Sequence, residues 1–203
     1  MNPFLEELFN VIGIDIEYLN GYLAPNEKDY LNTILNSIED LSGDFYTSEQ
    51  GENLEALLYF LFCHKNDITS IWEDRSKKEI LVTLYTSGTI SGNYDCFHFD
   101  LSKFELAFEP SGQELTLYRI GRVREVVTSL GNSWAQDGLG LRSYATSSSI
   151  DVENHPVFEI KVNDSEVLCA GNVLESELIL KKNFKCNEVR VLNAEERRKL
   201  LIK

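Results

Sequence analysis

The chain has 203 residues, of which 43% are hydrophobic, enough to bury a substantial core. Its formal net charge is −14: residues 1–110 carry 20 acidic and 6 basic side chains, whereas residues 111–203 carry 13 of each. Affinity for nucleic acid depends on neutralising phosphates, so this acidity predicts no direct nucleic-acid partner. The acidic half either faces a basic partner or keeps the protein soluble.

Apolar runs and cysteine spacing exclude further classes of protein. No apolar run approaches the ~20 residues that a membrane span requires, so we expect no membrane partner. The chain begins without a basic leader and apolar stretch, so we expect no conventional secretory signal. Four cysteines without Cys-x-x-Cys spacing and three dispersed histidines predict no metal site and reduced thiols. We therefore expect a cytoplasmic protein, or one delivered into a host cell without such a signal.

Helical periodicity dominates the beginning of the chain. An apolar stripe at i, i+3 and i+4 predicts a helix from Pro3 that is interrupted near Gly13. Further helices are predicted over residues 30–41 and 51–62. His64 follows the third helix, and we expect it to be a solvated histidine at a helix end, not a ligand.

From residue 79 the period of the hydrophobic pattern changes from that of a helix to that of a strand. Strands are predicted over residues 80–86, 94–99 and 104–108, with a glycine-bearing hairpin turn over residues 87–93.

The second half of the chain combines apolar strands with three polar motifs. Predicted strands cover 115–119, the hydroxyl-rich segment 143–150, the segment 175–180 and the segment 189–192, with a short helix and glycine-rich loop within 123–141 and a capped helix over 193–200.

Of these motifs, the pair Glu175 and Glu177 is the least favourable for folding. Side chains two residues apart on a strand point to the same face, so these carboxylates repel each other and lose solvation together. Such a cost is met more often at functional sites than on plain surfaces.

Tyr118-Arg119, the hydroxyl strand and Glu175-x-Glu177, in this order, resemble the motifs of the mono-ADP-ribosyltransferases, which include arginine-specific toxins, effectors and phage enzymes. The resemblance implies an α+β fold in which N-terminal helices pack on a β core like that of this family. We therefore expect one domain, 1–203, with an acidic helical lobe (1–75) and a β-rich, NAD-binding core (76–203).

The resemblance also implies roles for residues. NAD is the expected substrate, no metal is required, and Tyr118 and Arg119 open the NAD site. The guanidinium of Arg119 suits the pyrophosphate because its fork pairs two oxygens at once. Glu177 is the expected catalytic residue, a fixed anion that stabilises the cationic ribose of the transition state.

Glu175 is expected to hold and deprotonate the acceptor, and a Glu at this position of the family's motif implies an arginine on a target protein. Ser147 is expected to orient Glu177, with Ser148 and Ser149 in the same cofactor-binding strand. Thr146-Ser147-Ser148 and Ser147-Ser148-Ser149 both fit the motif, so its leading serine stays open by one place.

Three departures from the family pattern accompany these expectations. Gly121 comes one place late after the arginine, the segment 167–174 contains no aromatic residue, and no arginine follows the hydroxyl strand within residues 151–156. The alternatives for binding phosphate are Arg122, Arg124 and Arg142.

A second hypothesis follows from the charge distribution. The acidic first half is also typical of a non-catalytic binding protein, such as an immunity-type inhibitor or a nucleic-acid mimic, that faces a basic partner. This hypothesis predicts no cavity that joins Arg119 to Glu177.

Overall fold

A computed structural model describes residues 1–46, 52–87, 89 and 97–202, with only the backbone of residues 52 and 53. Within these ranges the chain is α+β, as predicted, with eight α-helices and a six-stranded sheet. Its contacts divide it into two compact units, Met1–Phe104 and Glu105–Lys203, whereas we expected the change between residues 75 and 76. None of the described helices has the length and apolar character to cross a membrane.

The described residues of the first unit form six α-helices. They are α1 (Pro3–Val11), α2 (Ile16–Tyr22), α3 (Pro25–Ile34), α4 (Glu52–Cys63), α5 (Lys65–Glu73) and α6 (Glu79–Tyr85). The predicted break after α1 is confirmed at Gly13, whose φ of +76° lies in the region that favours glycine. Asn2 and Asp15 cap α1 and α2, since their side chains accept hydrogen bonds from backbone N–H groups one turn later.

Several predictions for this unit are corrected by the structure. Residues 79–85 form helix α6, not a strand, because Leu81 and Leu84 are buried at a helical spacing while Thr83 between them is exposed. The helix predicted over residues 30–41 ends at Ile34, and a 3-10 turn, Ile38–Ser42, follows it. Helix α5 was not predicted.

The remaining strand predictions before residue 110 also change. Residues 104–108 form no strand. The predicted turn over residues 87–93 and strand over 94–99 lie largely outside the described residues, although Phe99 pairs with Ile14 in an isolated antiparallel bridge.

The prediction that His64 is a solvated histidine at a helix end is wrong. Its side chain is only 15% exposed, and its Nε2 lies 2.7 Å from Ser87 Oγ and 2.9 Å from Thr89 Oγ1. The ring also packs against Phe60, with the ring centroids 5.0 Å apart. His64 thus links the end of α4 to the segment after α6.

The second unit is built on one sheet. Its strands are β1 (Glu114–Ile120), β2 (Ser133–Ala135), β3 (Val157–Asn163), β4 (Val167–Ala170), β5 (Glu177–Leu180) and β6 (Glu188–Val191). They lie in the order β4-β5-β2-β1-β3-β6, and each neighbouring pair is antiparallel. The predicted strands over 115–119 and 189–192 are confirmed as β1 and β6.

Apolar side chains cover both faces of this sheet. One cluster includes Leu117, Trp134, Phe158, Ile160, Val162, Val167, Leu178 and Leu180. The other includes Ile120, Ala135 and Val157 together with Leu141 and Ala145 of α7 (Gly138–Ser147). The predicted C-terminal helix is confirmed as α8 (Ala194–Ile202), which Asn193 caps by accepting from the N–H groups of Glu195 and Glu196.

The hydroxyl-rich segment 143–150 was predicted as a strand, and this is wrong. The segment forms the second half of α7 and its C-terminal cap. Leu141 and Ala145, one turn apart, bury the helix against the sheet. Ser149 adopts a φ of 52°, and the N–H of Ile150 donates to Ala145 O at 2.9 Å, which closes the helix with a Schellman turn.

Asp164 provides a test of the packing of the second unit. Its buried carboxylate accepts hydrogen bonds from Ser111 N and Oγ and from Gly112 N, at 2.6, 2.8 and 3.0 Å. Burial raises the pKa of this carboxyl, but these hydrogen bonds outweigh burial and hold its pKa below the ordinary value. The stability that Asp164 provides is therefore present above the unfolded-state pKa and is lost as pH falls through the folded-state pKa.

We expect Asp164→Asn to lower the Tm at pH 7, because an amide NH2 group cannot accept a hydrogen bond, so at least one of the three donors would lose its partner. The difference in Tm between the variant and the wild type should become smaller as pH falls. Circular dichroism melts between pH 7 and pH 3 measure it. Glu153→Gln, at an exposed position, is the control and should leave the Tm at pH 7 unchanged. An unchanged Tm in Asp164→Asn would contradict the assignment.

Candidate functional site

A cleft opens over the middle of the sheet in the second unit. Its empty volume, which includes space open to solvent, is about 280 Å³. Its lining consists of Tyr118, Arg119, Ile120, Ser133, Ala135, Leu141, Tyr144, Glu175 and Glu177.

The register of three neighbouring strands sets the floor of the cleft. Tyr118 of β1 lies opposite Ala135 of β2, and Ala135 lies opposite Glu177 of β5. Residues opposite one another in adjacent strands point to the same face of a sheet. Tyr118 and Glu177 therefore share one face, with the small side chain of Ala135 between them.

Glu177 is a buried carboxylate with two hydrogen-bond donors from different elements. The residue as a whole is 8% exposed. Ser133 Oγ of β2 donates to its Oε1, and Asn172 N, in the turn between β4 and β5, donates to its Oε2 at 2.8 Å. Ser133 thus occupies the position beside Glu177 that we predicted for Ser147.

Gly171 allows the carboxylate of Glu177 to lie against the backbone. A Cβ at residue 171 would lie 2.2 Å from Glu177 Oε2 and 2.7 Å from its Cδ. Only a glycine permits this approach, because the carboxylate is already held from both sides by Ser133 and Asn172.

Glu175 reaches the same cleft by a different route from the one predicted. It belongs to a 3-10 turn, Val173–Glu175, and Ser176 follows it with a φ of 46°, so Glu175 and Glu177 are not alternate residues of one strand. Ser147 Oγ of α7 donates to Glu175 Oε1 at 3.1 Å. Ser147 therefore bonds to the first glutamate of the pair, not to the second.

Glu175 is half-buried, and its protonation is shifted accordingly. Burial raises the pKa of its carboxyl, the hydrogen bond from Ser147 lowers it, and the negative charge of Glu177 raises it, so that the net pKa lies above the ordinary glutamate value. The two carboxylates thus have different surroundings although they line one cleft.

Arg119 lines the cleft, but its guanidinium is already engaged. Its Nε donates to Glu125 Oε1 and its Nη1 donates to Ser133 O, both at 3.0 Å. Arg119 lies opposite Phe158 in the register, so its Cβ begins on the face away from Glu177 and the side chain turns toward the backbone of β2. The expected two-point contact with a pyrophosphate stays a prediction, and it would compete with these two hydrogen bonds.

Glu125 is the acid partner of Arg119. Its side chain is 7% exposed, and that of Arg119 is 16% exposed. Burial raises the pKa of Glu125, but the charge of Arg119 and the hydrogen bonds from Arg119, Gly131 N and Arg122 N outweigh burial and hold its pKa below the ordinary value.

Tyr118 is fixed by the strands on its other side. Burial raises the pKa of its phenol, and Glu159, which lies opposite it on β3, raises this pKa further. Glu159 pairs with Arg190 of β6 at 2.7 Å, and Arg190 pairs with Glu196 of α8 at 2.5 Å. The ring that lines the cleft is therefore anchored by a row of charged side chains.

The three predicted cofactor-binding serines do not line the cleft. Ser147 is exposed and lines a second, open concavity together with Arg142, whereas Ser148 follows the end of α7 and Ser149 forms its left-handed cap. Arg142 and the other alternative arginines, Arg122 and Arg124, are exposed.

Comparisons with protein-family models, curated proteins and solved structures find no match for this chain.

Gly171→Ala tests the close approach at Glu177. We expect the added methyl group to displace the Glu177 carboxylate, breaking its bond to Asn172 N, and to lower the Tm by several degrees, as roughly 1–3 kcal/mol of overpacking would. A crystal structure and a thermal melt of the variant measure the two effects. Gly21→Ala, in a helix with open space around the site of the Cβ, is the control and should be neutral or stabilising. An unmoved Glu177 side chain would contradict the argument.

Proposed function

We propose that the second unit is an NAD-dependent mono-ADP-ribosyltransferase that transfers ADP-ribose to an arginine of a target protein and releases nicotinamide. The observation that carries the proposal is the buried carboxylate of Glu177, aligned by Ser133 and Asn172 in a cleft that also contains Glu175.

Glu177 supplies the electrostatic part of this chemistry. Cleavage of NAD breaks the C1′–N bond between ribose and nicotinamide, the bonding electron pair leaves with neutral nicotinamide, and positive charge develops on the ribose. A carboxylate stabilises that charge most when it is held in place before the reaction and shielded from water. The two donors to Glu177 and its 8% exposure meet this requirement.

Glu175 supplies the proton transfer. The guanidinium of an acceptor arginine loses a proton as its nitrogen forms the new bond to C1′, and Glu175 Oε is the proposed acceptor of that proton. A general base works best with a pKa near the operating pH, and both burial and the charge of Glu177 move the pKa of Glu175 in this direction.

The lining of the cleft indicates which part of NAD would lie there. The nicotinamide and its ribose would lie between Tyr118 and Glu177, where the flat ring of Tyr118 offers a surface for stacking. The pyrophosphate would then lie outside the cleft. Arg119 at the edge of the cleft and the exposed Arg142 are the candidate cations for it.

The alternative function, a non-catalytic acidic binding protein, receives less support. It expects no cavity shared by Arg119 and Glu177, yet both line one cleft. Its motivation is the excess of acidic side chains in residues 1–110, which solubility explains equally well.

Separate substitution of the two glutamates tests the proposal. Glu177→Gln removes the charge needed for NAD cleavage, so nicotinamide release and target labelling should both fall about 100-fold or more. Glu175→Gln removes only the base for the acceptor, so labelling should fall while much of the NAD cleavage remains. Labelled NAD and a cell lysate, with nicotinamide measured in the same reactions, give both activities.

The control for these variants is Glu195→Gln, a charge change of the same kind on the exposed part of α8. It should leave both activities intact. Loss of both activities in Glu175→Gln and of neither in Glu177→Gln would mean that the roles are wrongly assigned. No cleavage by the wild type would refute the proposal as a whole.

The pH dependence of transfer gives an independent prediction. Because the pKa of Glu175 is raised, its carboxylate becomes protonated, and can no longer act as a base, at a higher pH than an ordinary glutamate. The ratio of labelling to NAD cleavage should therefore fall as pH drops through the pKa of Glu175. Ser147→Ala removes the hydrogen bond that lowers this pKa, so the midpoint of the fall should move to higher pH. Ser143→Ala, one turn earlier on α7, is the matched control. A midpoint that is the same in both variants would show that Ser147 does not tune Glu175.

A further inference from the structure

Glu125 lies in the loop between β1 and β2, and its carboxylate accepts hydrogen bonds from residues at both ends of this loop. Its Oε1 accepts from Arg119 Nε at 3.0 Å and from Gly131 N at 2.8 Å, and its Oε2 accepts from Arg122 N at 2.9 Å. One nearly buried carboxylate therefore joins the end of β1, the start of the loop and the residues just before β2.

Arg119 connects Glu125 to β2 through hydrogen bonds. Its guanidinium packs over the backbone of Gly131, where a Cβ would lie 2.5 Å from Nη2 and 2.7 Å from Cζ. From there Nη1 donates to Ser133 O at 3.0 Å. The hydroxyl of the same Ser133 donates to Glu177 Oε1. Glu125, Arg119, Ser133 and Glu177 thus form one continuous path of hydrogen bonds, which passes through both the backbone oxygen and the hydroxyl of Ser133.

We infer that Glu125 is a positioning residue for Glu177, acting through Arg119 and Ser133. This inference rests on the proposed function. Glu125 holds the guanidinium on the side of the sheet where it supports the backbone of Ser133, and Ser133 in turn orients the carboxylate of Glu177.

Electrostatics explains why an acid is required at residue 125. Arg119 is a mostly buried cation, and such a charge needs an anionic partner. The carboxylates that line the cleft together with Arg119 are Glu175 and Glu177. With Glu125 neutral, Arg119 would be attracted to Glu177 and would cancel the negative charge that the reaction uses. Glu125 therefore both aligns Ser133 and keeps the charge of Glu177 available.

The first test is a double-mutant cycle on nicotinamide release, measured for the full chain with saturating and limiting NAD. We expect Glu125→Gln to lower kcat about 10- to 100-fold, the scale of a small displacement at a reacting group, with little change in KM. Arg119→Lys should show a similar loss, because an ammonium cannot donate to Glu125 and Ser133 from the same positions. If Glu125 acts only through Arg119, the double variant should be no slower than the slower single variant.

Glu188→Gln is the matched control. Glu188 also pairs with a cation, Lys161, at 2.8 Å, but this pair is exposed and joins β3 to β6. Its kcat and KM should equal those of the wild type. An unchanged kcat in Glu125→Gln, or losses that multiply in the double variant, would overturn the inference.

A second readout does not depend on activity. Trp134 of β2 donates its indole Nε1–H to Gly131 O at 2.8 Å, so its fluorescence reports on the segment that Glu125 holds. In a Trp72→Phe background, Trp134 is the single tryptophan. Glu125→Gln should then increase the quenching of Trp134 by acrylamide, and Glu188→Gln should not.

The two readouts separate the two possible failures. If the wild type releases no nicotinamide, the proposed function is wrong, and the quenching of Trp134 still decides whether Glu125 orders β2. If quenching is the same in Glu125→Gln and the wild type, the positioning role of Glu125 is wrong even where the enzyme is active.

Discussion

Burial of the Glu177 carboxylate is the constraint on which the second unit depends. A carboxylate removed from water requires hydrogen bonds from the protein, since an unpaired buried charge would strongly favour unfolding. Glu177 receives them from Ser133 on the neighbouring strand and from Asn172 in the preceding turn. Gly171 leaves the space for that approach. The order β4-β5-β2 is therefore a requirement of the site, because it brings both donors to the start of β5.

Two glutamates close in sequence receive different surroundings from this arrangement. Glu177 lies at the start of a strand whose residues are all buried, whereas Glu175 lies in a 3-10 turn, half-buried and bonded to the exposed Ser147. Burial and the negative charge of Glu177 raise the pKa of the Glu175 carboxyl above the ordinary glutamate value. The left-handed Ser176 produces this separation, since it turns the chain between them.

The sequence was sufficient for features that depend on local pattern. The α+β class, the break at Gly13, strands β1 and β6 and the capped helix α8 all follow from periodicity and capping over short windows. The prediction of secondary structure failed where the element was determined by which side chains are buried. In α6 an apparent strand-like period over residues 80–86 suggested a strand, and in α7 a run of hydroxyl-bearing residues hid the spacing of Leu141 and Ala145. Ser133 was missed because a strand of three residues is too short for any periodic signal.

Because β2 is so short, contacts made by the loop before it help to hold this strand in place. All three residues of β2 pair with β5, but only Ala135 pairs with β1, opposite Tyr118. The additional anchors are side chains: Arg119 donates to Ser133 O, Trp134 donates to Gly131 O, and Glu125 accepts from Gly131 N. Side chains outside β2 thus add to the strand pairing that positions Ser133. No pattern within residues 133–135 contains this information, which arises from contacts that only the folded sheet creates.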